Sequence, residues 1–561
     1  MKNLSFIFLL LWSTAAFSQW STDPSVNNLV SNSSGDQDNP ATCVDGAGGV
    51  IAVWIDKGVT PNKIIAQRIN SFGQKVWSSS NIPVCNFSSA QTNPVVCSDG
   101  SGGAIVGWHD NRNGSDIYAQ RLRADGVLMW DANGVKVSAA QYSNVYRIKC
   151  TPSEAGAVIF SWLNYAVVNM GIYAQKIDAY GNRVWAVNDL TVRTNFVNGF
   201  DVCKDASNGI YVVYGYDSTT SLQEDLYAQR VSSAGDKLWG NGLLISNEIY
   251  SQRNPSVCED GAGGFITAWE DTRSGGALLI NVYAAHINGA GSSLWTANGV
   301  QLTINEMPEE PLCTYDAHGG AYIIWTEFRY GARVIIGQNL NYSGQIRWQT
   351  YGKELALRVD NFSTFNGSLD PKVTAIDALG GIVISWIGYR DLALTQYGLL
   401  AQRVDYDGNL LWDASGVFVS TGNLKKNAAL VGDGGSSGAI AVWADGRNFG
   451  SSGYDIYAQH IKSDAALGRP VNTIRNPKMS QNYPNPFNPV TKISFEISQP
   501  GFVSLKIYDM TGREVAVLAN EVYAPGEYSV SWNASSFATG AYFYKFITGE
   551  TTEIKTMMLI K

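Results

Sequence analysis

Histidine is scarce, with four in 561 residues, and so is charge, since Asp, Glu, Lys and Arg together make up 16% against roughly 25% in an average soluble domain. His109, His286, His318 and His460 fall at different positions of different repeats, so they give no ground for a convergent metal site or the base of a catalytic triad. No His-Glu-x-x-His, phosphate-cradling glycine loop or nucleophile elbow with plausible partners stands out. Proline numbers only 17 while glycine numbers 57, so the glycine serves turns and not a low-complexity linker. A net charge of −8 comes without the basic stripe that neutralises a phosphate backbone, which removes nucleic acid from the expected partners. Beyond the N-terminus no apolar run reaches the roughly 18 residues of a membrane helix, so no transmembrane segment is expected in the mature chain. Aromatic residues are plentiful instead, 17 Trp and 28 Tyr, and they favour strands.

The N-terminus reads as an export signal. Lys2 precedes the short apolar stretch from Leu4 to Trp12, and Ala16-Phe17-Ser18 offers a small-x-small cleavage site. Residues 1–18 are expected to be removed, leaving a mature start near Gln19; no lipobox cysteine sits there. An uncleaved anchor is the alternative, against which no stop-transfer segment follows.

The main body repeats one phrase. Cys97-Ser-Asp-Gly-Ser-Gly-Gly-Ala-Ile-Val-Gly-Trp108 is followed by Ile117-Tyr-Ala-Gln-Arg121 and Trp130-Asp-Ala-Asn-Gly134. The first Trp returns at Trp54, Trp108, Trp162, Trp269, Trp325, Trp386 and Trp443, with Tyr214 in the missing place, at spacings of 52 to 61 residues. A second Trp occurs at Trp77, Trp130, Trp185, Trp239, Trp295, Trp348 and Trp412 but has no copy after the last Tyr-Ala-Gln-His. The missing copy stands at the other end, where Trp20 precedes Val30-Ser31 as Trp130 precedes Val137-Ser138. An array whose first strand belongs to its last unit suits a closed ring, which leaves no edge strand.

Each unit reads as four short strands, with Asp-x-x-Gly-Gly hairpin turns such as Asp99 to Gly103. The expectation is all-β: an eight-bladed β-propeller of four-stranded blades over residues 19–463, the termini closing one blade, with seven blades plus a degenerate one as the alternative. Residues 464–479 read as a linker. From 480 to 561 alternating strands suggest a small Ig-like β-sandwich.

This last segment resembles the type A C-terminal sorting domain of the type IX secretion system, an Ig-like module of exported proteins in Bacteroidetes-like bacteria. The resemblance rests on Asn482, Tyr483, Pro484, Asn485, Pro486 and Phe487, on Gly512-Arg513 closing Ile507-Tyr-Asp-Met-Thr-Gly-Arg513, on Gly540-Ala-Tyr-Phe-Tyr544 and on the terminal run to Lys561. Thr556 stands where a second basic residue is common. The resemblance implies Sec export, recognition by an outer-membrane translocon, and often removal of the domain with surface attachment. An accessory module retained on the mature protein is the alternative.

Six cysteines are repeat members, Cys43, Cys97, Cys150, Cys203, Cys258 and Cys313, 53 to 55 residues apart. Copies on successive blades are expected to lie beyond the ~7 Å Cα limit for bridging and to act as small apolar residues. Cys85, twelve residues before Cys97, is the candidate for one disulfide in an oxidising compartment. The candidate binding residues lie in the loop after the first Trp: Asp110 and Arg112, Asp271 and Arg273, Glu327 and Arg329, Asp445 and Arg447, with a related Arg390-Asp391. Ring symmetry would gather them on one face, where carboxylates suit glycosidic chemistry and guanidinium forks suit acidic sugars. The competing reading is an internal ion-pair clip that orders a turn. Asp36, Asp38 and the Asp-Gly turns offer oxygens to Ca²⁺ but form no twelve-residue ligand loop, so no cofactor is expected. The leading expectation is a secreted or cell-surface binding protein for a glycan or a protein, with no catalytic residues. A polysaccharide-active hydrolase or lyase comes second, and a purely structural surface protein third.

Overall fold

The computed structural model describes residues 20–561 except 362–371, 376–380, 465–477 and loop stretches of five residues or fewer. The expected signal peptide and most of the expected linker lie outside the described residues. The chain divides into two compact units, Met1–Arg469 and Pro470–Lys561.

In the first unit the strands form eight four-stranded antiparallel sheets, and the one helix among its described residues is the turn Phe449–Ser452. The second sheet is representative, with Gln91–Ser98, Ala104–Asp110, Asp116–Leu122 and Val135–Lys136 in spatial order. Its second strand is apolar on both faces and nearly all buried, as a strand covered on both sides requires.

The repeated polar residues hold the local turns. Asp99 Oδ1 accepts the Ser101 and Gly103 N–H groups at 2.8 Å each, while its Oδ2 takes Arg121 Nε at 3.0 Å and Nη2 at 2.9 Å. Gln120, fully buried, accepts the Trp130 N–H at 2.9 Å and donates to the Asp131 carbonyl at 2.7 Å. The Gln-Arg pair therefore fixes two turns of its own sheet, and buried polar groups in such positions are costly to leave unpaired.

Sheets are tied to their successors by the second Trp. Its indole N–H donates to a turn carbonyl of the next sheet: Trp77 to Ala124 at 2.9 Å, Trp130 to Ala179 at 3.1 Å, Trp185 to Ser233 at 3.0 Å, Trp295 to Tyr342 at 2.8 Å, Trp348 to Tyr406 at 3.1 Å and Trp412 to Ser463 at 2.9 Å. Trp20 does the same to Ser71 at 2.9 Å. Except at Trp412, each of these indoles lies over a turn glycine; at Gly126, φ +87°, a Cβ would come within 2.8 Å of the Trp77 ring, so glycine answers both the backbone and the approach. Between the fourth and fifth sheets Tyr211 supplies the tie instead, donating to Gly263 at 2.7 Å and stacking on Trp239.

The eighth sheet has the order Asn28–Ser31, Asp455–Ile461, Ala439–Asp445, Lys425–Gly432, so the N-terminal strand completes the last sheet. The first strands of the sheets neighbour one another in succession, and Lys425–Gly432 neighbours Gln37–Val44. At that seam Asp38 accepts Lys426 Nζ at 3.0 Å, Lys57 Nζ at 2.8 Å and Asn427 Nδ2 at 2.6 Å.

The cysteine expectation needs correction. First strands of adjacent sheets come within hydrogen-bond reach, the Cys313 N–H meeting Ser256 Oγ at 3.0 Å, and the Cys258 and Cys313 sulfurs lie 3.1 Å apart. The two are offset by one residue, Cys258 standing two before Asp260 and Cys313 three before Asp316, and the adjacent first strands bring them together. Cys85 faces the Asn133 carbonyl at 3.4 Å and Arg112 at 3.2 Å rather than Cys97.

The second unit has two antiparallel sheets. Lys478–Met479, Val490–Ile497 and Gly526–Asn533 form one; Glu514–Tyr523, Gly501–Asp509, Gly540–Thr548 and Thr551–Leu559 form the other in that order. Phe495 and Trp532 of the first share one core with Leu505, Tyr544 and Phe546 of the second.

Candidate functional site

The loop acids and arginines form internal clips. Asp110 accepts the Trp108 indole N–H at 2.9 Å and Arg112 Nη2 at 2.7 Å, and the same arginine donates to the Asn133 carbonyl at 2.9 Å and lies over the Tyr118 ring at 3.7 Å. Asp271 receives Trp269 at 2.9 Å and Arg273 at 2.6 Å; Arg273 reaches the Asn298 carbonyl at 2.9 Å. Asp445 receives Trp443 at 2.8 Å and Arg447 at 2.7 Å, with Lys425 Nζ at 3.1 Å. Glu327 takes the Trp325 indole N–H at 2.9 Å and pairs with Arg329. The three aspartates are 0% exposed and Glu327 2%.

These acids are therefore not presented to a ligand, and the expectation of an accessible Asp-x-Arg face is corrected. The indole N–H two residues earlier is buried and draws the carboxylate inward, and the guanidinium follows to compensate it. Burial pushes the Asp110 carboxyl up, but Arg112, Ser89 and Trp108 together hold it below the ordinary range. Asp445 is held down in the same way, burial being outweighed by Arg447, Lys425 and Trp443. Arg390 pairs with Asp413 at 3.3 Å, and Asp391 lies outside the described residues.

The histidines are dispersed. His286 and His460 replace the clamp arginine and meet the turn aspartates Asp260 and Asp433, each at 2.9 Å. His109 contacts Ser115 at 2.6 Å, and His318 lies against Tyr406. No group of three or more His, Cys, Asp or Glu able to hold a metal ion occurs among the described residues.

A second polar set was not anticipated. Each described first strand except the short seventh carries a register break after its first or second residue. The residue there takes the left-handed conformation: Asn39 (φ +49°), Asn93 (+52°), Arg147 (+49°), Asn254 (+50°), Glu310 (+50°) and Asn427 (+51°). Gly199 fills the fourth place, and Asp370, which the spacing puts in the seventh, lies outside the described residues. Such bulges turn a side chain off the ladder. Asn39, Asn93, Arg147 and Asn427 line a cavity of about 400 Å³ with Tyr146 and Lys372. Because Gln91 pairs with Asp110 and Gln252 with Asp271, this mouth opens at the end of the sheets that bears the clip loops. Tyr146 is 51% exposed beside it. The signal was in the sequence as Asn39-Pro40, Asn93-Pro94 and Asn254-Pro255, since Asn tolerates the left-handed region.

The fourth sheet departs from the rest. Tyr214 and Tyr216 replace Trp and Asp, and Arg193 from the third sheet takes over the arginine's task, bonding the Asn241 carbonyl at 2.8 Å and lying over Tyr216 at 3.5 Å. Nearby, Asp225 is raised from its ordinary value by burial and by Asp217.

In the second unit the quoted motif residues tie the chain's end to its opening. Asn482 donates to Thr491 at 2.9 Å and to the Pro484 carbonyl at 3.0 Å, and its N–H meets Tyr544 at 2.9 Å. Asn485 accepts the Met558 N–H at 2.8 Å, and buried Phe487 packs on Trp532. Pro486 follows Asn485 through a cis bond. Gly512, φ +82°, closes the turn in which Asp509 accepts Arg513 Nε at 3.0 Å. Gly540 opens the strand paired to the last one, and Lys561 Nζ donates to the Ser535 carbonyl at 2.7 Å. Tyr483 lies outside the described residues.

Residues 481–561 match the family described as the secretion system C-terminal sorting domain. They are a type IX sorting domain. The domain marks the protein as secreted or cell-surface and implies engagement with the secretion machinery. Compared with curated proteins, the chain matches none. Among solved structures it is similar to a PL25 ulvan lyase (10% identity, 66% of this chain and 92% of that one, TM-score 0.40). It is also similar to an α-L-arabinofuranosidase from Lactobacillus brevis (10%, 48% and 94%, 0.30) and to a protein of unknown function from Dyadobacter fermentans (9%, 60% and 97%, 0.35).

Proposed function

We propose that residues 19–463 close as an eight-bladed β-propeller, that residues 480–561 form an Ig-like sandwich, and that the propeller binds a glycan at the mouth of its central cavity after delivery to the cell surface. Closure is supported by the N-terminal strand in the eighth sheet and by the first strands neighbouring one another around the unit. The observation that carries the binding reading is the division of polar groups. The Asp-x-Arg pairs are used up inside the fold and Asn427 donates to Asp38 and Asn39, whereas Asn93 and Arg147 line an open cavity beside exposed Tyr146. Amides pair with sugar hydroxyls, a guanidinium forks a carboxylate or sulfate, and a tyrosine face stacks on a pyranose ring. Ca²⁺ has no part in this reading.

A second reading, a polysaccharide-active hydrolase or lyase, draws on the fourth sheet. Asp225, raised by burial and by Asp217, stands in a sheet that lacks the Asp-x-Arg clip, and a raised carboxyl suits a general acid. The test places the full chain on neutral, uronic and sulfated polysaccharides and reads bound protein and released ends together. Binding without release, lost in Arg147→Ala, is expected. Release that disappears in Asp225→Asn would establish the second reading instead.

A further inference from the structure

We propose that Cys258 and Cys313 form a disulfide that staples the fifth sheet to the sixth. Their sulfurs lie 3.1 Å apart, so bonding requires them to close by about 1 Å to the usual S–S length of about 2.05 Å. On the adjacent strands Gln252–Glu259 and Glu309–Tyr315, Cys258 stands two residues before the turn residue Asp260 and Cys313 three before Asp316, and this one-residue offset accompanies the approach of their sulfurs. Those strands are held side by side by Ser256 Oγ, which accepts the Cys313 N–H at 3.0 Å. Each residue is partly exposed while packing against the apolar cluster between the two sheets.

The compartment supplies the driving force. The sorting domain sends this chain out of the cytosol, into surroundings where disulfides form and persist. The position matters as well. The junction just before this one, between the fourth and fifth sheets, is tied by Tyr211 rather than by an indole N–H, and a covalent link at the next seam secures the fifth sheet from its other side.

The chemistry is thiol–disulfide exchange with an oxidant that itself carries a disulfide, such as an oxidised dithiol oxidoreductase or oxidised glutathione. Cys313 thiolate attacks one sulfur of the oxidant, forming a mixed disulfide and releasing the first oxidant thiolate. Cys258 thiolate then attacks Cys313 Sγ, forming the Cys258–Cys313 bond and releasing the second. Two protein thiols lose two protons and two electrons, and the oxidant disulfide is reduced to two thiols. Burial pushes the Cys258 thiol well above its ordinary value, so its thiolate is the minor form and the second attack is the slow step.

The test uses the full chain exported to an oxidising compartment, unfolded in acid with an alkylating reagent and digested without reductant. A cross-linked peptide pair containing Cys258 and Cys313 is expected, together with a melting temperature that falls when reductant is added. Cys313→Ser replaces the thiol by a hydroxyl of similar size and should fold, and Cys258→Val is a second variant, since Val431 fills the place of Cys258 in the eighth sheet; the melting temperature of neither should respond to reductant. Recovery of both cysteines fully alkylated, or of either linked to a different cysteine, would overturn the proposal. So would an equal response to reductant in Cys313→Ser.

Discussion

Replacing Asp271 by alanine separates a clip from a ligand-binding or catalytic acid. The carboxylate is 0% exposed and serves three donors: the Trp269 indole at 2.9 Å, the Arg273 backbone N–H at 2.9 Å and the Arg273 guanidinium at 2.6 to 2.8 Å. Its loss strands a buried indole N–H and leaves Arg273, whose side chain is 15% exposed, without its closest counter-charge. Removing one partner of a buried pair costs about 3 to 5 kcal/mol. A unit of roughly 450 residues melts with an entropy of about 0.9 kcal/mol/K, taken at about 2.1 cal/mol/K per residue, so the melting temperature should fall by about 3 to 5 °C. Asp271→Asn keeps one acceptor for the indole and should lose about half as much. Differential scanning calorimetry of the full chain reads the shift, and polysaccharide binding is measured below the transition. Unchanged melting with abolished binding or turnover would refute the clip and restore Asp271 as a site residue.

Three further outcomes follow from the same contacts. Trp295→Phe keeps the ring but removes the bond to the Tyr342 carbonyl; it should cost about 1 to 2 kcal/mol, read as a small fall in melting temperature, and no loss would mean the indole ties are idle. At the closing seam Asp38 titrates at about 2 against an ordinary 3.8: burial raises it, and Lys57, Lys426 and Asn427 outweigh that. A lowered carboxyl stabilises the fold above its unfolded value and loses that contribution as pH falls through the folded one, so acid unfolding should steepen between about pH 4 and 2 and should lose that component in Asp38→Asn. Arg147→Asn should raise stability by about 1 kcal/mol, because asparagine tolerates φ +49° better than arginine, while weakening polysaccharide binding; equal binding would remove Arg147 from the site.

Much of the architecture was legible because it is repeated. The Trp20 surplus at one end and the missing Trp at the other foretold that Asn28–Ser31 would join the last sheet. The Asp-x-x-Gly-Gly turns formed as read, with Asp99 capping its own hairpin. What was not legible is which polar repeats face inward. Asp110 and Arg112 look equally suited to a ligand and to each other, and only the buried Trp108 indole N–H, two residues away, decides between them. The cysteines do recur once per sheet through the sixth, but spacing along the chain does not show that first strands lie side by side. That adjacency, with Cys313 one residue earlier relative to its turn than Cys258, goes with the sulfur contact.

The two ring sets differ in a way that separates folding from function. At the clip, acid and arginine recur together, and where the fourth sheet loses them Arg193 arrives from a neighbour to bond the same turn carbonyl, so the position answers to the fold. At six of the bulges the backbone holds φ near +50° while the side chain runs through Asn, Asn, Arg, Asn, Glu and Asn. The fold asks only for a residue that accepts positive φ there, which glycine or asparagine meets at least cost. Arginine at 147 and glutamate at 310 meet it poorly. Of the two, Arg147 lines the cavity, so the chemistry it brings there is where selection for a ligand would act.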